Sequence, residues 1–291
     1  MSDSQPAVTR PPAVAPGNVA VITGGASGIG LAVAEAMIAE GMSVVLADID
    51  APKLRDVEAR LSEDGASVAT MLCNTTAEAE VNALIEYAVE QFGGVHVMFN
   101  NAGIAGVGDA WTDPVDLWKR VLDVNVLGVV HGIRAALPVM QEQGVGHIVS
   151  TASHAGLNGA PGIAPYVASK HAVVGMSESL FLELELIGSP VGASVLCPEF
   201  VKTDLMGKEP EAVESPMAQF INQALIAGVD GGIPASQVAA EVVAAIKAGR
   251  FWILTHDSTR EASVARMQRA ADGVNPPVNL PADPSVAEFE S

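Results

Sequence analysis

Cysteine is nearly absent. The 291-residue chain has two, Cys73 and Cys197, far apart and at no metal or redox spacing. That excludes a disulfide scaffold and a thiolate metal cluster, and it fits a reducing, cytoplasmic setting. Positive charge is also scarce: 15 Lys and Arg stand against 34 Asp and Glu, a net charge of −19. Such a field repels phosphate backbones and anionic lipid, so nucleic acid and membrane surfaces are not expected partners. An acidic carrier protein is disfavoured as bearer of a substrate for the same reason. No run of eighteen apolar residues occurs, so no membrane-spanning helix is expected. Tandem repeats and low-complexity interior linkers are missing too, which favours one domain over two. The opening "MSDSQPAVTRPPAVAPGN" carries four prolines and no apolar core, so residues 1–17 read as a flexible lead-in rather than a secretory leader.

What the chain does have is apolar residues, 49% of the total, arranged as short β-rich runs alternating with helical patterns. "VAVIT", "SVVLAD", "ASVATML", "VHVMF", "HIVST", "GASVLC" and "RFWILT" read as strands. Helical spacing fills the intervals: Gly28 to Glu40, Pro52 to Leu61, and most clearly Val81, Leu84, Ile85, Ala88, Val89 and Phe92. Tyr87 falls off that stripe and reads as a surface residue. Alternation of this kind predicts a doubly wound parallel sheet with helices on both faces and ligands beyond the carboxyl ends of the strands. Residues 18–256 form the expected α/β domain, with 204–232 as a substrate loop or lid. Ser236 is the expected cap of a helix that Gly249 stops, and Asp257 to Ala271 is expected as a last helix ahead of an acidic tail to residue 291.

The residues that follow each strand carry the chemistry. "TGGASGIG" sets Gly24, Gly28 and Gly30 at the start of a helix, where backbone can approach a pyrophosphate and free N–H groups meet its charge. Asp48 ends the second strand eighteen residues past Gly30, a position from which a carboxylate binds ribose hydroxyls and repels a 2′-phosphate. Neither Ser27, Ile49 nor Asp50 is basic, which favours NAD over NADP. "NNAG" (residues 100–103) ends the fourth strand and "STAS", with Ser153, the fifth. Thirteen residues later "YVASK" puts Tyr166 and Lys170 on one face of a helix beginning near Pro165.

In this order the pieces "TGGASGIG", "NNAG", Asn125 in "DVNVLG", Ser153, "YVASK" and "CPEFVKT" resemble the short-chain dehydrogenases/reductases, in their short single-domain branch with a Rossmann-like fold. The resemblance implies Tyr166 as proton donor or acceptor, Lys170 as its electrostatic partner, Ser153 as ligand of the substrate oxygen, and Asn125 as holder of a water. It implies a cofactor site made of Thr23, Gly24, Ser27, Gly28, Ile29 and Gly30; Asp48 and Ile49; Asn74 and Thr75; and Asn101, Ala102 and Gly103. Tyr166, Lys170, Pro198, Val201 and Thr203 complete that site. It also implies a homo-oligomer, dimer or tetramer, formed through the helices of Asn125 and Tyr166. Elementary electrostatics agrees with the tyrosine's role. Bringing a phenol from ~10 to neutrality requires about 4 kcal/mol, and a cation ~4 Å away at an effective dielectric near 20 supplies about as much.

Three departures from the family pattern stand out: Asn74 and His96 where Asp is usual, and Glu199 in place of the glycine after Pro198. Glu199 is expected to point to solvent, and His154 and His171 to pack or lie at the surface. The pocket is expected between residues 104–111, 155–163 and 205–232, with Leu157, Leu205 and Met206 joining Ser153 and Tyr166 at the substrate. Val107, Trp111, Ile163, Met217, Phe220, Ile221 and Leu225 are further candidates for its wall. Lys202 and Lys208 are the only basic residues in or bordering these segments, and a carboxylate or phosphate would call for Arg. The expected substrate is therefore a neutral, largely apolar secondary alcohol or its ketone, with NAD. The alternatives are an NADPH-dependent ketone reductase, a sugar-nucleotide epimerase or dehydratase, and a non-catalytic NAD-sensing protein.

Overall fold

The structure, a computed structural model, describes residues 10–205 and 216–277. Its strands are β1 (Val19–Thr23), β2 (Ser43–Asp48), β3 (Val68–Leu72), β4 (Val97–Asn100), β5 (Gly146–Thr151), β6 (Val191–Leu196) and β7 (Trp252–Ile253). They form one sheet in the order β3-β2-β1-β4-β5-β6-β7, with every pairing parallel. The connecting helices are α1 (Gly28–Ala39), α2 (Ala51–Glu63), α3 (Glu78–Phe92), α4 (Val115–Leu122) and α5 (Gly128–Gln143). They continue with α6 (Ala164–Leu186), α7 (Pro216–Gly231), α8 (Ala235–Lys247) and α9 (Asp257–Ala271).

Side chains alternate across the sheet, so the central strands feed two cores. From β1, Ala20 and Ile22 pack with Val33 and Met37 of α1 and Val238 and Val242 of α8. Val19 and Val21 face the other way, to Leu84 and Ile85 of α3, Met140 of α5 and Leu184 of α6. Burial on both faces, at about 1.5–3 kcal/mol per large aliphatic side chain, explains why these strands read as continuous apolar runs. Strand order reverses between β1 and β4. The crevice at their carboxyl ends is where such a sheet receives ligands.

Several expectations need correction. Residues 10–17 are packed rather than a loose lead-in: Ala13 and Val14 are buried, and Arg10 binds the Ser189 and Val191 carbonyls and Glu185. Tyr87 packs against the second core, whereas Val89, read as part of the apolar stripe, is exposed. Helix α8 starts at Ala235 behind Pro234, so Ser236 lies in its first turn and caps nothing. The continuous helical run Val115–Gln143 is long and apolar enough by composition to cross a bilayer. It nevertheless covers the sheet, with Val121, Val129, Ala136 and Met140 buried.

His147, at the start of β5, is buried against the Ser194 hydroxyl at 2.7 Å. Burial, aided by Arg10, pushes its imidazole down to about 3. The fold therefore refuses a proton that the unfolded chain accepts near ~6.5, so stability rises with pH across that window. Denaturant melts should show stability falling below pH ~6.5 by up to about 1.4 kcal/mol per pH unit, with His147→Gln flattening that acid limb.

Candidate active site

Helix α1 enters directly from β1, and its cap residue Ser27 makes no side-chain bond to the first turn. The N–H groups there have no side-chain cap and face the crevice, with the positive end of the helix dipole behind them. Gly24 and Gly28 hold φ angles of +64° and +54°, which L side chains rarely adopt. Gly30 has a different reason to be glycine: a Cβ there would lie 2.2 Å from the Gly24 carbonyl oxygen. This is a cradle shaped for an anion, and it fits a dinucleotide pyrophosphate.

The strand ends beside it are tied by side chains. The Thr23 hydroxyl accepts the N–H groups of Asn101 (2.9 Å) and Ala102 (3.1 Å), while the Asn101 amide donates to the Thr23 and Gly24 carbonyls. Asn101 Oδ1 accepts from Thr151, so one amide spans the ends of β1, β4 and β5. His96, one of the departures noted above, supports the other end of this seam by accepting the Val19 N–H at 3.1 Å. Asp48 is oriented by the N–H groups of Ala26 and Asp50. Its remaining lone pairs are left for hydroxyl donors. Sequence reasoning missed Lys53, which lines this end of the cleft. Its ammonium lies 3.8 Å from Asp50 and 3.5 Å from Asp204.

At the other end Ser153, Tyr166 and Lys170 converge. Lys170 is buried and donates to the Thr151 carbonyl at 2.8 Å, its nitrogen 5.5 Å from the Tyr166 ring centre. The Tyr166 ring is half-exposed to the cleft, but burial around its hydroxyl raises the phenol, with a hydrogen bond to Ser153 opposing. Burial also pulls Lys170 down to about 8. Burial around the hydroxyl thus opposes the acidification that proton transfer requires of the phenol. Cys197, next to this group, is pushed up to about 12 by burial and is no nucleophile at neutral pH.

Asn125 sits in a π-helical turn, Asp123–Leu127, between α4 and α5. Its amide is fully buried, bonded to both the N–H (2.8 Å) and the carbonyl (2.9 Å) of Ile104 and to Ser169. Ser169 in turn donates to the Tyr166 carbonyl. The Asn125 side chain therefore fastens the loop after β4 to α6.

A cleft of about 430 Å³ runs between the two ends. That is within the range of small-molecule sites. Its wall includes Gly24, Ser27, Gly28, Ile29, Asp48, Ile49, Asn74 and Thr75 from the amino-terminal half of the sheet. Asn101, Ala102, Gly103, Ser153, Tyr166, Lys170, Pro198, Val201, Thr203 and Leu205 also line it, all as expected. Thr23 and Gly30 do not line it; both shape it from behind. Leu157 packs instead with Val173 and Val174, away from the cleft. Trp111 is exposed, and Met206 and Lys208 lie outside the described residues. Ile104, Thr151 and Val229 are further parts of the described wall. The three expected pocket segments do meet: the Gly108 N–H donates to the Gly162 carbonyl, and Ile221 closes on Gly162. Glu199 lines the cleft and accepts from Ser258 in an exposed hydrogen bond, so its carboxylate is tethered while open to solvent. His154 is pushed down by burial, with Glu199 pulling the other way.

The family model for short chain dehydrogenases matches residues 18–214. A crystal structure of a short-chain dehydrogenase/reductase from Burkholderia phymatum in complex with NAD superposes with a TM-score of 0.88 at 38% identity, covering 92% of this chain and 99% of that one. A cyclohexanol dehydrogenase from Acinetobacter sp. (strain SE19) is 36% identical over 67% of this chain and 77% of its own. A D-beta-hydroxybutyrate dehydrogenase from Rhizobium meliloti is 34% identical over 72% and 83%.

The contact at Gly30 yields a prediction. Gly30→Ala should cost about 1–3 kcal/mol in denaturant melts through overpacking and weaken dinucleotide binding in titration calorimetry, since the new methyl displaces Gly24 or Asn101.

Proposed function

The chain belongs to the short-chain dehydrogenase/reductase family, and we propose that it is an NAD-dependent oxidoreductase that interconverts a neutral, largely apolar secondary alcohol and its ketone. The observation that carries this reading is the convergence of Ser153, Tyr166 and Lys170 at one end of a cleft whose other end is the α1 cradle and Asp48.

Gly24, Ser27, Gly28 and Ile29 would hold the pyrophosphate, Asp48 and Ile49 the adenosine ribose, and Lys170, Val201 and Thr203 the nicotinamide half. Bound NAD+ supplies the hydride acceptor and brings a positive charge into the cleft. Ser153 orients the substrate oxygen by a hydrogen bond. Tyr166 takes the hydroxyl proton during oxidation and returns one during reduction. Lys170, anchored on Thr151, stabilises the phenolate that forms. Asn125 acts through Ile104 and Ser169 as a positioning residue.

Several features support NAD over NADP. At the ribose end three carboxylates, Asp48, Asp50 and Asp204, face one ammonium, Lys53, so a 2′-phosphate meets net negative charge. For the substrate, the two curated relatives name one neutral and one anionic alcohol. The cleft favours the neutral class: among the described residues no arginine lines it, while Ile104, Leu205, Val229 and the Glu199 carboxylate do. A homo-oligomer is supported by exposed apolar residues on the outer helices, Val115, Leu127, Leu182, Leu186 and Ile187.

Turnover of cyclohexanol, 2-octanol and 3-hydroxybutyrate with NAD+, followed by absorbance of the reduced cofactor, tests the substrate class; fastest turnover of the hydroxy acid would overturn it. Tyr166→Phe should lose at least about 100-fold in kcat while NAD affinity stays within roughly threefold; undiminished turnover would remove Tyr166 from the proton step. NAD should bind at least about tenfold more tightly than NADP, and Asp48→Asn should narrow that ratio.

A further inference from the structure

Helix α9 is exposed along almost its whole length, and Thr259 is its one buried residue. Its docking is polar. Thr259 Oγ1 and His154 Nδ1 share a hydrogen bond at 3.1 Å, Asn158 donates to the Ser263 hydroxyl at 3.3 Å, and Arg266 donates to the Leu157 carbonyl at 2.9 Å. Residues 259, 263 and 266 follow the i, i+4, i+7 spacing of one helix face. All three grip the turn His154–Asn158, which begins immediately after Ser153. The opposite side of that turn is pressed on α6: a Cβ on Gly156 would lie 2.7 Å from the Lys170 carbonyl oxygen. The first turn of α9 and its cap residue make a second clasp. Ser258 donates to Glu199, and His256 Nδ1 accepts the Glu199 N–H at 3.3 Å, next to Pro198, whose carbonyl accepts the His154 N–H at 2.7 Å.

Two catalytic-cleft walls, the Ser153 turn and the Pro198–Glu199 corner, are therefore joined through α9. We infer that α9 is a brace that sets the Ser153 hydroxyl for the reaction, with Thr259 as its positioning residue. This rests on the dehydrogenase reading above. The brace meets the reacting end of the cleft, touching Pro198 but neither the α1 cradle nor Asp48, so it governs turnover more than nucleotide affinity. An apolar helix face would have supplied adhesion without direction. A polar stripe fixes both the azimuth and the register of the turn it holds, because each hydrogen bond tolerates little misalignment.

Thr259→Val keeps the shape of this buried side chain and deletes its hydroxyl, and Thr259→Ser retains the hydroxyl. In the full-length protein, amide hydrogen exchange over residues 153–158 should quicken in the valine variant and not in the serine one. With the best alcohol of the panel above, kcat should fall roughly tenfold for valine and about twofold or less for serine, with the Kd for NAD unchanged in both, as expected for a misplaced orienting group. Equal exchange and equal kcat in wild type and Thr259→Val would overturn the brace, as would a parallel loss in the serine variant. If the wild-type protein oxidises none of the alcohols, the proposed function fails, while the exchange comparison still decides whether α9 holds the turn.

Discussion

A buried ammonium is the constraint on which the site depends. Lys170 is 3% exposed, and desolvation alone would favour its neutral form. It stays in place because the Thr151 carbonyl, at the end of a fully buried strand, accepts from it at 2.8 Å. That anchor fixes where α6 runs, and Tyr166 one turn earlier must then open onto the cleft. Ser169, on the same helix, carries the hydrogen-bond chain to Asn125 and from there to the loop after β4. One cation thus couples β5, α6, the π turn and the roof of the nucleotide crevice.

At the other end of the cleft a seam of close backbone approach does comparable work. Gly24 and Gly30 lie too near one another for any side chain on Gly30, and Asn101 fills the remaining hydrogen-bonding needs of three strand ends. The two ends are rigid for different reasons, one through sterics and one through a buried charge. The cradle and the reacting groups are therefore held by different means, with β4 and β5 running between them.

The expectations that held were those tied to periodicity or to strand ends. Alternating apolar runs gave the sheet because both of its faces are covered, and each motif found its place because parallel strands point their carboxyl ends the same way. What escaped was set by direction rather than pattern. Thr23 and Gly30 belong to the cradle by sequence position but turn away from the cleft, and only the packing behind them shows it. Leu157 follows Ser153 closely, yet the short turn that starts at His154 leaves it half-buried against a neighbouring apolar cluster. Lys53 was invisible because it reaches back from the first turn of α2 rather than standing at a strand end. The polar face of α9 leaves no apolar signal at all, and the response of Tyr166 depends on how much water its hydroxyl loses, a quantity with no sequence signature.

The charge of the whole chain and the charge of the site pull in opposite directions. At −19 the molecule repels an anionic dinucleotide at long range, but that field is screened beyond a Debye length of about 8–10 Å in ordinary salt. Within that distance the first turn of α1 and its glycine-flanked N–H groups act without a solvent shell between them and a bound phosphate, so contact geometry prevails. Among the described residues, a small anionic substrate at the Ser153 end has no comparable ally. It would meet Glu199 rather than a helix terminus or a guanidinium, while an apolar alcohol loses little to either the distant field or the near one. On the proposed reading, discrimination between the two substrate classes would follow from the same acidic composition that the cofactor cradle overcomes locally.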